Sequence, residues 1–309
     1  MGYADRLPDV PSSDPDQTRD LRSEFERHRR RLWGVAYRML GSRAEAEDMV
    51  QEAYLRWHQA ARDEIRSPQA WLVTTVTRLC IDRMRQLRVE RDAYVGPWLP
   101  EPLVGSTAAP TDRASELASD LSVAFLALLE RLAPEERAAF LLHDVFDSEY
   151  GDIAAILGKS ETACRQIVTR ARRRVRDERP RVEVAPGARD RLIADFARAL
   201  QAGDRETLLG LFAGDATWTS DGGGKVFAAR RSLRGRDLIV RAVLGYRRHW
   251  PLGLEVRPVL VNGEPGLAMV SDGQVGSVLS IRTDGERILD VFSVLNPDKL
   301  RAVAIDGEG

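Results

Sequence analysis

Cysteine is nearly missing from this chain of 309 residues: Cys80 and Cys164 are its two thiols, each inside a helical pattern and without the paired spacing of a secreted protein. A disulfide framework is excluded, and a reduced, cytoplasmic setting is expected. The four histidines, at 28, 58, 143 and 249, lack metal-ligand spacing, so no metal or other cofactor is expected. No apolar run approaches the roughly 18 residues of a membrane span. Residues 1–20, acidic and proline-rich, do not read as a signal peptide. Lysine is scarce as well, three of 46 basic residues, a bias of composition rather than of mechanism. The net charge of −1 lacks the overall basic excess of many nucleic-acid binders. Its distribution does not: residues 160–179 hold seven arginines against three acids, and residues 78–91 hold five against two. Such local stripes, not the global sum, set a phosphate footprint.

The stripe at 160–179 lies in the most informative segment, Ser148 to Arg179. Its pattern predicts a short helix from Tyr150 to Leu157, a stop at Gly158, and a second helix capped by the hydroxyl of Ser160. In that second helix Ala163, Ile167 and Ala171 recur at core-facing spacing, leaving Arg165, Gln166, Thr169, Arg170 and Arg173 outward. Two helices joined by a glycine-containing turn, the second lined with Arg and Gln, are what a helix-turn-helix lays in a major groove.

The rest of the chain divides by composition. Residues 1–20 read as disordered and 21–91 as helical. Ser42 with Glu45 forms a capping box, and Ala46, Met49, Val50, Ala53, Tyr54 and Trp57 share one helical face. Ser67-Pro68 starts a further helix through Trp71 and Met84. Residues 92–117, rich in proline and glycine, form a linker too long to be an idle loop. Helices resume over 118–179, one opened by Pro134, and a second linker covers 180–187. Residues 188–300 begin with two helices, Ala188–Ala202 and Arg205–Phe212. Strands follow at Leu254–Val261, Leu267–Ser271, Gly276–Thr283 and Ile288–Asn296, separated by Asn-Gly and Asp-Gly hairpin turns. That order gives an α+β domain, with 301–309 as a tail.

Asp48-Met49-Val50-Gln51-Glu52, the Trp71 to Arg85 helix and the Ser148 to Arg174 segment, in this order, resemble a bacterial RNA polymerase sigma factor of the extracytoplasmic-function group, sigma-70 family, over about residues 21–178. The resemblance implies two all-α domains, a region 2 bundle and a region 4 helix-turn-helix. It implies that Asp48, Gln51 and Glu52 dock on the clamp helices of the β′ subunit of core RNA polymerase, whose β subunit is a further partner. Region 2 would meet the −10 promoter DNA through Arg78, Arg83, Arg85 and Arg88, and the loop Gln59–Arg66 would capture an extruded base. Region 4 would read the −35 element: Arg165 and Gln166 reach base edges, Lys159, Ser160, Thr169, Arg170 and Arg173 line the surface, and Arg170, Arg172 and Arg173 hold phosphates. Trp71 reads as core rather than as a base-stacking platform. On spacing alone, the carboxylates of Asp48 and Glu52 repel unless a basic partner neutralises them.

Residues 196–221 resemble the opening of a SnoaL-like domain of the nuclear-transport-factor-like cone fold. Trp98-Leu99-Pro100-Glu101-Pro102, Asp221-Gly222-Gly223-Gly224-Lys225 and Asn296-Pro297-Asp298-Lys299-Leu300 match sigma factors that carry it fused. The resemblance implies that the fused domain regulates the sigma activity. Three readings of these motifs stay open. Asp221 either closes a glycine turn or joins the linker and the sigma domains. Trp98, stiffened by flanking prolines, either anchors on the nearest core or docks between domains. A cone-fold enzyme would use Asp221 or His249 as acid or base, but no second catalytic group is spaced to help, so no catalytic residues are expected. Gly222–Lys225 lacks Walker spacing. A small-molecule ligand of the C-terminal domain is a further open partner. The runner-up to the sigma factor is a helix-turn-helix regulator that works without polymerase, with the C-terminal domain as ligand sensor.

Overall fold

The computed structural model describes residues 15–60, 65–105, 121–178, 184–303 and 305, with side chains from residue 21 onward. Half of the loop expected to capture a base, residues 61–64, falls outside the described residues.

Helix α1 (Pro15–Leu40) starts inside the stretch expected to be disordered; a proline suits the first helical turn, where its missing N–H has no partner to lose. Ser42 caps α2 (Arg43–Gln59), accepting from the Glu45 amide at 3.5 Å. The reciprocal half of the expected capping box is taken by another partner: the Glu45 carboxylate binds the Arg83 guanidinium at 2.6 and 2.7 Å. A charge-assisted bidentate pair outcompetes a neutral cap. Ser67 caps α3 (Pro68–Asp92), which buries Leu72, Val76, Cys80, Met84 and Leu87 at helical spacing.

After the linker come α4 (Val123–Leu129), α5 (Pro134–Asp144), α6 (Tyr150–Leu157) and α7 (Glu161–Glu178). Gly158 ends α6 in the left-handed conformation, and Ser160 Oγ accepts from the Ala163 amide at 3.2 Å. The buried face of α7 is broader than the three residues expected: Cys164 and Val168 join Ile167 and Ala171, with Ala163 half-buried. Burial pushes both thiols up, so Cys80 and Cys164 act as small apolar groups. The two helical domains share one continuous core running from Leu21 to Ala171.

The C-terminal domain is α+β. Helices α8 (Ala188–Ala202) and α9 (Arg205–Leu211) precede β2 (Phe212–Asp221), β3 (Leu233–Arg234), α10 (Arg236–Arg247), β4 (Glu255–Val261), β5 (Glu264–Ser271), β6 (Gln274–Thr283), β7 (Ile288–Val294) and α11 (Pro297–Leu300). With β1 (Val104–Gly105) from the linker, the sheet order is β1-β4-β5-β6-β7-β2-β3, antiparallel except for β2 beside β7. Strand β2 and helix α10 carry weak local signals. Phe212 passes from α9 straight into the strand with no turn residue, and Gly235 gives α10 no side-chain cap. Strand β5 starts at Glu264 because Asn262 and Gly263, with φ of 53° and 82°, close the hairpin in two residues.

Side chains alternate across this sheet, and both faces are covered. One face carries Trp218, Leu267, Leu279, Ile281 and Val291 under α8, α9 and α10. The other carries Val259, Val261, Ala268, Val270, Val278 and Val294 against Leu99 of the linker, Val123 of α4 and Leu300 of α11. The sheet is therefore a partition between the ordinary core of its own domain and the helical half of the chain.

Candidate nucleic-acid interface and interdomain latch

Asp48, Gln51 and Glu52 lie on α2, outside its buried face of Ala46, Val50, Ala53 and Trp57. Asp48 and Gln51 are exposed, and Glu52 pairs with Arg56 one helical turn on, at 2.9 Å. The repulsion expected between Asp48 and Glu52 is relieved within the helix.

Of the four α3 arginines expected to meet −10 DNA, three are engaged inside the chain. Arg78 donates to the carbonyls of Ile156 at 2.9 Å and Ala155 at 2.7 Å, at the C-terminus of α6, where unpaired carbonyls and the helix dipole favour a cation. Arg83 holds Glu45. Arg85 binds Asp82 and Glu135, each at 3.0 Å, and Glu135 also meets Lys159 in the turn of the helix-turn-helix at 3.1 Å. Arg88 is exposed. Trp71 is half-buried against Trp57, ring centroids 5.6 Å apart, a packing role.

Helix α7 turns Arg165, Gln166, Thr169, Arg170 and Arg173 to solvent. Arg165 pairs with Glu161 at 3.2 Å and lies 4.3 Å over the Tyr150 ring. Thr169 bonds its own helix at the Arg165 carbonyl. Arg172 is bidentate to Asp144, which takes it from the set of phosphate-holding arginines in this arrangement.

Behind these surfaces, the helical domains are bolted together by buried charge. Arg137, 1% exposed, donates at 2.7 Å to the Met39 carbonyl and at 2.7 Å to Glu130. Glu130 also binds Arg91 of α3.

The linker and the C-terminal motifs meet at one place. Asp221, at the end of β2, is fully buried. Its carboxylate accepts from Tyr94 Oη, from the Leu99 amide at 2.8 Å and from Lys299 Nζ at 2.7 Å. Lys299 also donates to the Leu99 carbonyl and stands 3.9 Å from the Trp98 ring centroid, with Arg91 at 4.0 Å. Burial lowers the Lys299 ammonium below its usual range while Asp221 opposes the shift. Burial, then the Asp221 carboxylate, raise the Tyr94 phenol well above its ordinary value. Asn296 caps α11, in which Pro297 takes the first turn, and its amide donates to Tyr94 Oη at 2.8 Å. Lys225 pairs with Asp298. Gly223, at φ 59°, has no room for a side chain: a Cβ would collide with the Asn296 amide and reach 3.0 Å from Tyr94 Oη.

The linker is fixed equally to the helical half. Trp98 covers Gly41, where a Cβ would come within 2.6 Å of the indole. Glu101 donates its amide to the Gly41 carbonyl at 2.8 Å and accepts from the Arg43 amide at 2.8 Å and from Ser42 at 3.3 Å. Pro100 and Pro102 are buried beside it. Farther along, Asn262 donates to Tyr37 Oη at 2.9 Å and to the Leu121 carbonyl at 2.8 Å, and accepts from the Leu103 amide at 2.9 Å.

Tyr94, Arg91, Glu130 and Asn262 escape a reading of the sequence. The Asn-Gly pair signals its turn, but nothing in it tells that the Asn262 amide reaches another domain. His249 is exposed and takes no part in these contacts. No described residues form a cluster able to hold a metal, and no described helix is long and apolar enough to cross a membrane.

Comparisons with known proteins come to the same segments. The sigma-70 region 2 model matches residues 25–89 and the sigma-70 region 4 model matches residues 122–175. The ECF RNA polymerase sigma factor SigJ of Mycobacterium tuberculosis (strain ATCC 25618 / H37Rv) is 38% identical over 288 residues, covering 90% of this chain and 92% of that protein. The protein named "Probable ECF RNA polymerase sigma factor SigI" of the same strain is 31% identical over 282 residues, 89% of this chain and 94% of its own. The crystal structure of the M. tuberculosis extracytoplasmic function sigma factor SigJ aligns with a TM-score of 0.73 at 37% identity, over 90% of this chain and 98% of that one.

Proposed function

The chain belongs to the ECF RNA polymerase sigma factors, within the sigma-70 family, and we propose that its free form is a closed sigma factor latched by its own C-terminal domain. As a sigma factor it binds core RNA polymerase and directs initiation at specific promoters. It acts in the cytoplasm, where the polymerase is, and it is not an enzyme. The engagement of Asp221 in the latch supports the last point, since a buried, fully bonded carboxylate is a poor general base.

We assign polymerase docking to Asp48, Gln51 and Glu52, −10 contacts to Arg78, Arg83, Arg85 and Arg88, and −35 contacts to Lys159, Ser160, Arg165, Gln166, Thr169, Arg170 and Arg173. We assign the domains to 21–91, 118–179 and 188–300. The observation that carries the closed reading is Arg78, whose guanidinium is held by the carbonyls of α6. To place Arg78 on a phosphate and α7 in a major groove at once, regions 2 and 4 must separate. The linker between them is held at Tyr94, Leu99 and Glu101, so release of the latch and separation of the domains are one event.

Run-off transcription with core RNA polymerase on genomic promoter fragments, comparing the full chain with residues 1–185, tests this. Promoter-specific transcripts are expected, with the output differing between the two forms. Equal output removes the latch from the mechanism. DNA binding without polymerase and no transcripts from either form returns the chain to the stand-alone regulator.

A further inference from the structure

A cavity of about 130 Å³ lies between the helix-covered face of the sheet and α10. The chemistry of its wall is one-sided. Trp218, Leu279 and Met269 rise from the sheet, and Val243 and Tyr246 close it from α10. Among the described residues, no carboxylate, amine, guanidinium or imidazole lines it. A charged guest would be left unpaired in an apolar site, which excludes carboxylates, phosphates and amines.

The wall has one polar patch. Ser220 of β2 and Ser293 of β7 are register partners, and Ser277 of β6 sits one diagonal step away, since Leu279 pairs with Ser293. All three line the cavity. Diagonal neighbours lie about 7–8 Å apart, close enough to share one small guest. Trp250, on the same wall, keeps a buried indole N–H with no hydrogen-bond partner among the described residues. Orphan buried donors are uncommon in native proteins. At the mouth, Phe227 is 82% exposed and stacks on Tyr246, centroids 6.1 Å apart. An aromatic ring left in water beside an apolar cavity is placed as a cover.

We propose that this cavity binds a small, uncharged, mainly apolar molecule of aromatic-ring size, with a single polar group facing the serines, and that its occupancy acts on the interdomain latch. The size follows from the volume: apolar cavities of about 150 Å³ stay dry and take up a benzene-sized guest. The coupling follows from shared chain. Segment 221–230 runs from Asp221 through Gly223 and Gly224, packed on Tyr94 and Val95, to Phe227, Ala228 and Ala229 on the cavity wall. At the other end of the wall, Leu295 lines the cavity, and the Leu295 and Asn296 amides both donate to the Asp221 carbonyl, at 2.8 and 2.9 Å. Strand β6 alternates between the two sides, Ser277 and Leu279 facing the cavity and Val278 facing Leu99 and Val123. The regulatory consequence rests on the latch proposed above; the binding site does not.

The test uses the full chain and three probes: acetophenone, a ring with one carbonyl; ethylbenzene, its apolar counterpart; and benzoate, its charged one. The tryptophan indole N–H resonances report binding. Acetophenone is expected to shift them saturably and benzoate to leave them unmoved. The double substitution Ser277→Ala and Ser293→Ala is expected to weaken acetophenone about three- to tenfold, the usual worth of a hydrogen bond, and to spare ethylbenzene. Ala242→Phe, which fills the cavity from α10, is expected to abolish both. No saturable binding, saturable benzoate binding, or binding that survives Ala242→Phe, overturns the site; equal loss of both ring probes in the serine variant overturns the polar patch. For the coupling, hydrogen exchange at the Leu99 amide is followed with and without saturating acetophenone, and a change of at least threefold is expected. Binding with unchanged exchange at Leu99 overturns the coupling and leaves the latch to the transcription comparison.

Discussion

Asp221 and Lys299 stand 2.7 Å apart at the point where the sheet, the linker and the last helix converge, with Asp221 fully buried and Lys299 12% exposed. Neither residue belongs to the helical half of the chain, yet between them they hold both the amide and the carbonyl of Leu99. A buried ion pair is an uncertain source of net stability, because desolvation offsets attraction. Its better-attested use is to fix one arrangement, and here that is the seating of the linker.

Asp221→Ala should therefore be far more damaging than loss of the pair as a whole. It strands a buried ammonium and orphans the Leu99 amide, a change that costs about 3–5 kcal/mol. Adding Lys299→Met should recover a large part of that loss. Urea unfolding of the wild type, the two single variants and the double variant closes the cycle. Additive effects would mean that the two side chains act independently.

The Tyr94 phenol gives the latch a pH signature. Its pKa is raised above the unfolded value near 10, so the folded chain keeps a proton that the unfolded chain gives up. The associated stability is complete below about pH 10 and falls as pH rises, by at most about 1.4 kcal/mol per pH unit. Tyr94→Phe should flatten the alkaline fall in unfolding free energy measured from pH 9 to 11. Tyr37, also raised by burial, supplies a slope that remains in the variant.

Gly223→Ala should release the latch without touching a charge. The position combines φ of 59° with a Cβ path blocked by Asn296 and Tyr94. The backbone term alone costs roughly 1–2 kcal/mol, and the collision forces the glycine turn off the linker. Faster hydrogen exchange at the Leu99 amide, with α7 unchanged, is the expected reading. Normal protection at Leu99 would detach the turn from the latch.

Much of this was legible in the chain because its signals are local. Ser67-Pro68, Gly158-Lys159-Ser160 and the Asp-Gly turns each act within four residues, and the helices and hairpins they announce are where they were expected. Helix α10 and strand β2 were not, since one lacks a cap and the other lacks a preceding turn. The linker motif and the two C-terminal motifs carry a family resemblance, but their meeting at Asp221 depends on contacts 73 to 202 residues apart, which no periodicity encodes. The intramolecular partners of Arg78, Arg83 and Arg85 were likewise invisible: an arginine stripe looks the same in sequence whether it faces phosphate or a neighbouring helix.

Reversal of charge at Asp48 and Glu52, as Asp48→Lys with Glu52→Lys, should abolish binding to core RNA polymerase and leave the helical content intact. Both positions lie on the outer face of α2, so the core of Ala46, Val50, Ala53 and Trp57 is undisturbed. Co-purification with core enzyme reads the effect, with circular dichroism as the control for folding. Retained binding by a folded variant would move the docking surface elsewhere.

Arg165→Ala separates base reading from phosphate holding on α7. Arg165 sits near the helix N-terminus, the end that reaches base edges in a helix-turn-helix, and among the described residues it is held by an exposed pair with Glu161 and by the Tyr150 ring. An exposed pair of this kind contributes little, on the order of 0–1 kcal/mol, so DNA can displace it at small cost. A bidentate contact to guanine is worth about 1–3 kcal/mol against the wrong base. The variant holoenzyme should lose affinity at one position of the −35 element and tolerate substitutions there, while its salt dependence stays near that of the wild type. Arg170→Ala should do the opposite, weakening all sequences alike and lowering the salt slope by about one unit. If both variants weaken binding uniformly, Arg165 is a phosphate contact and base reading falls to Gln166 and its neighbours on the same exposed face.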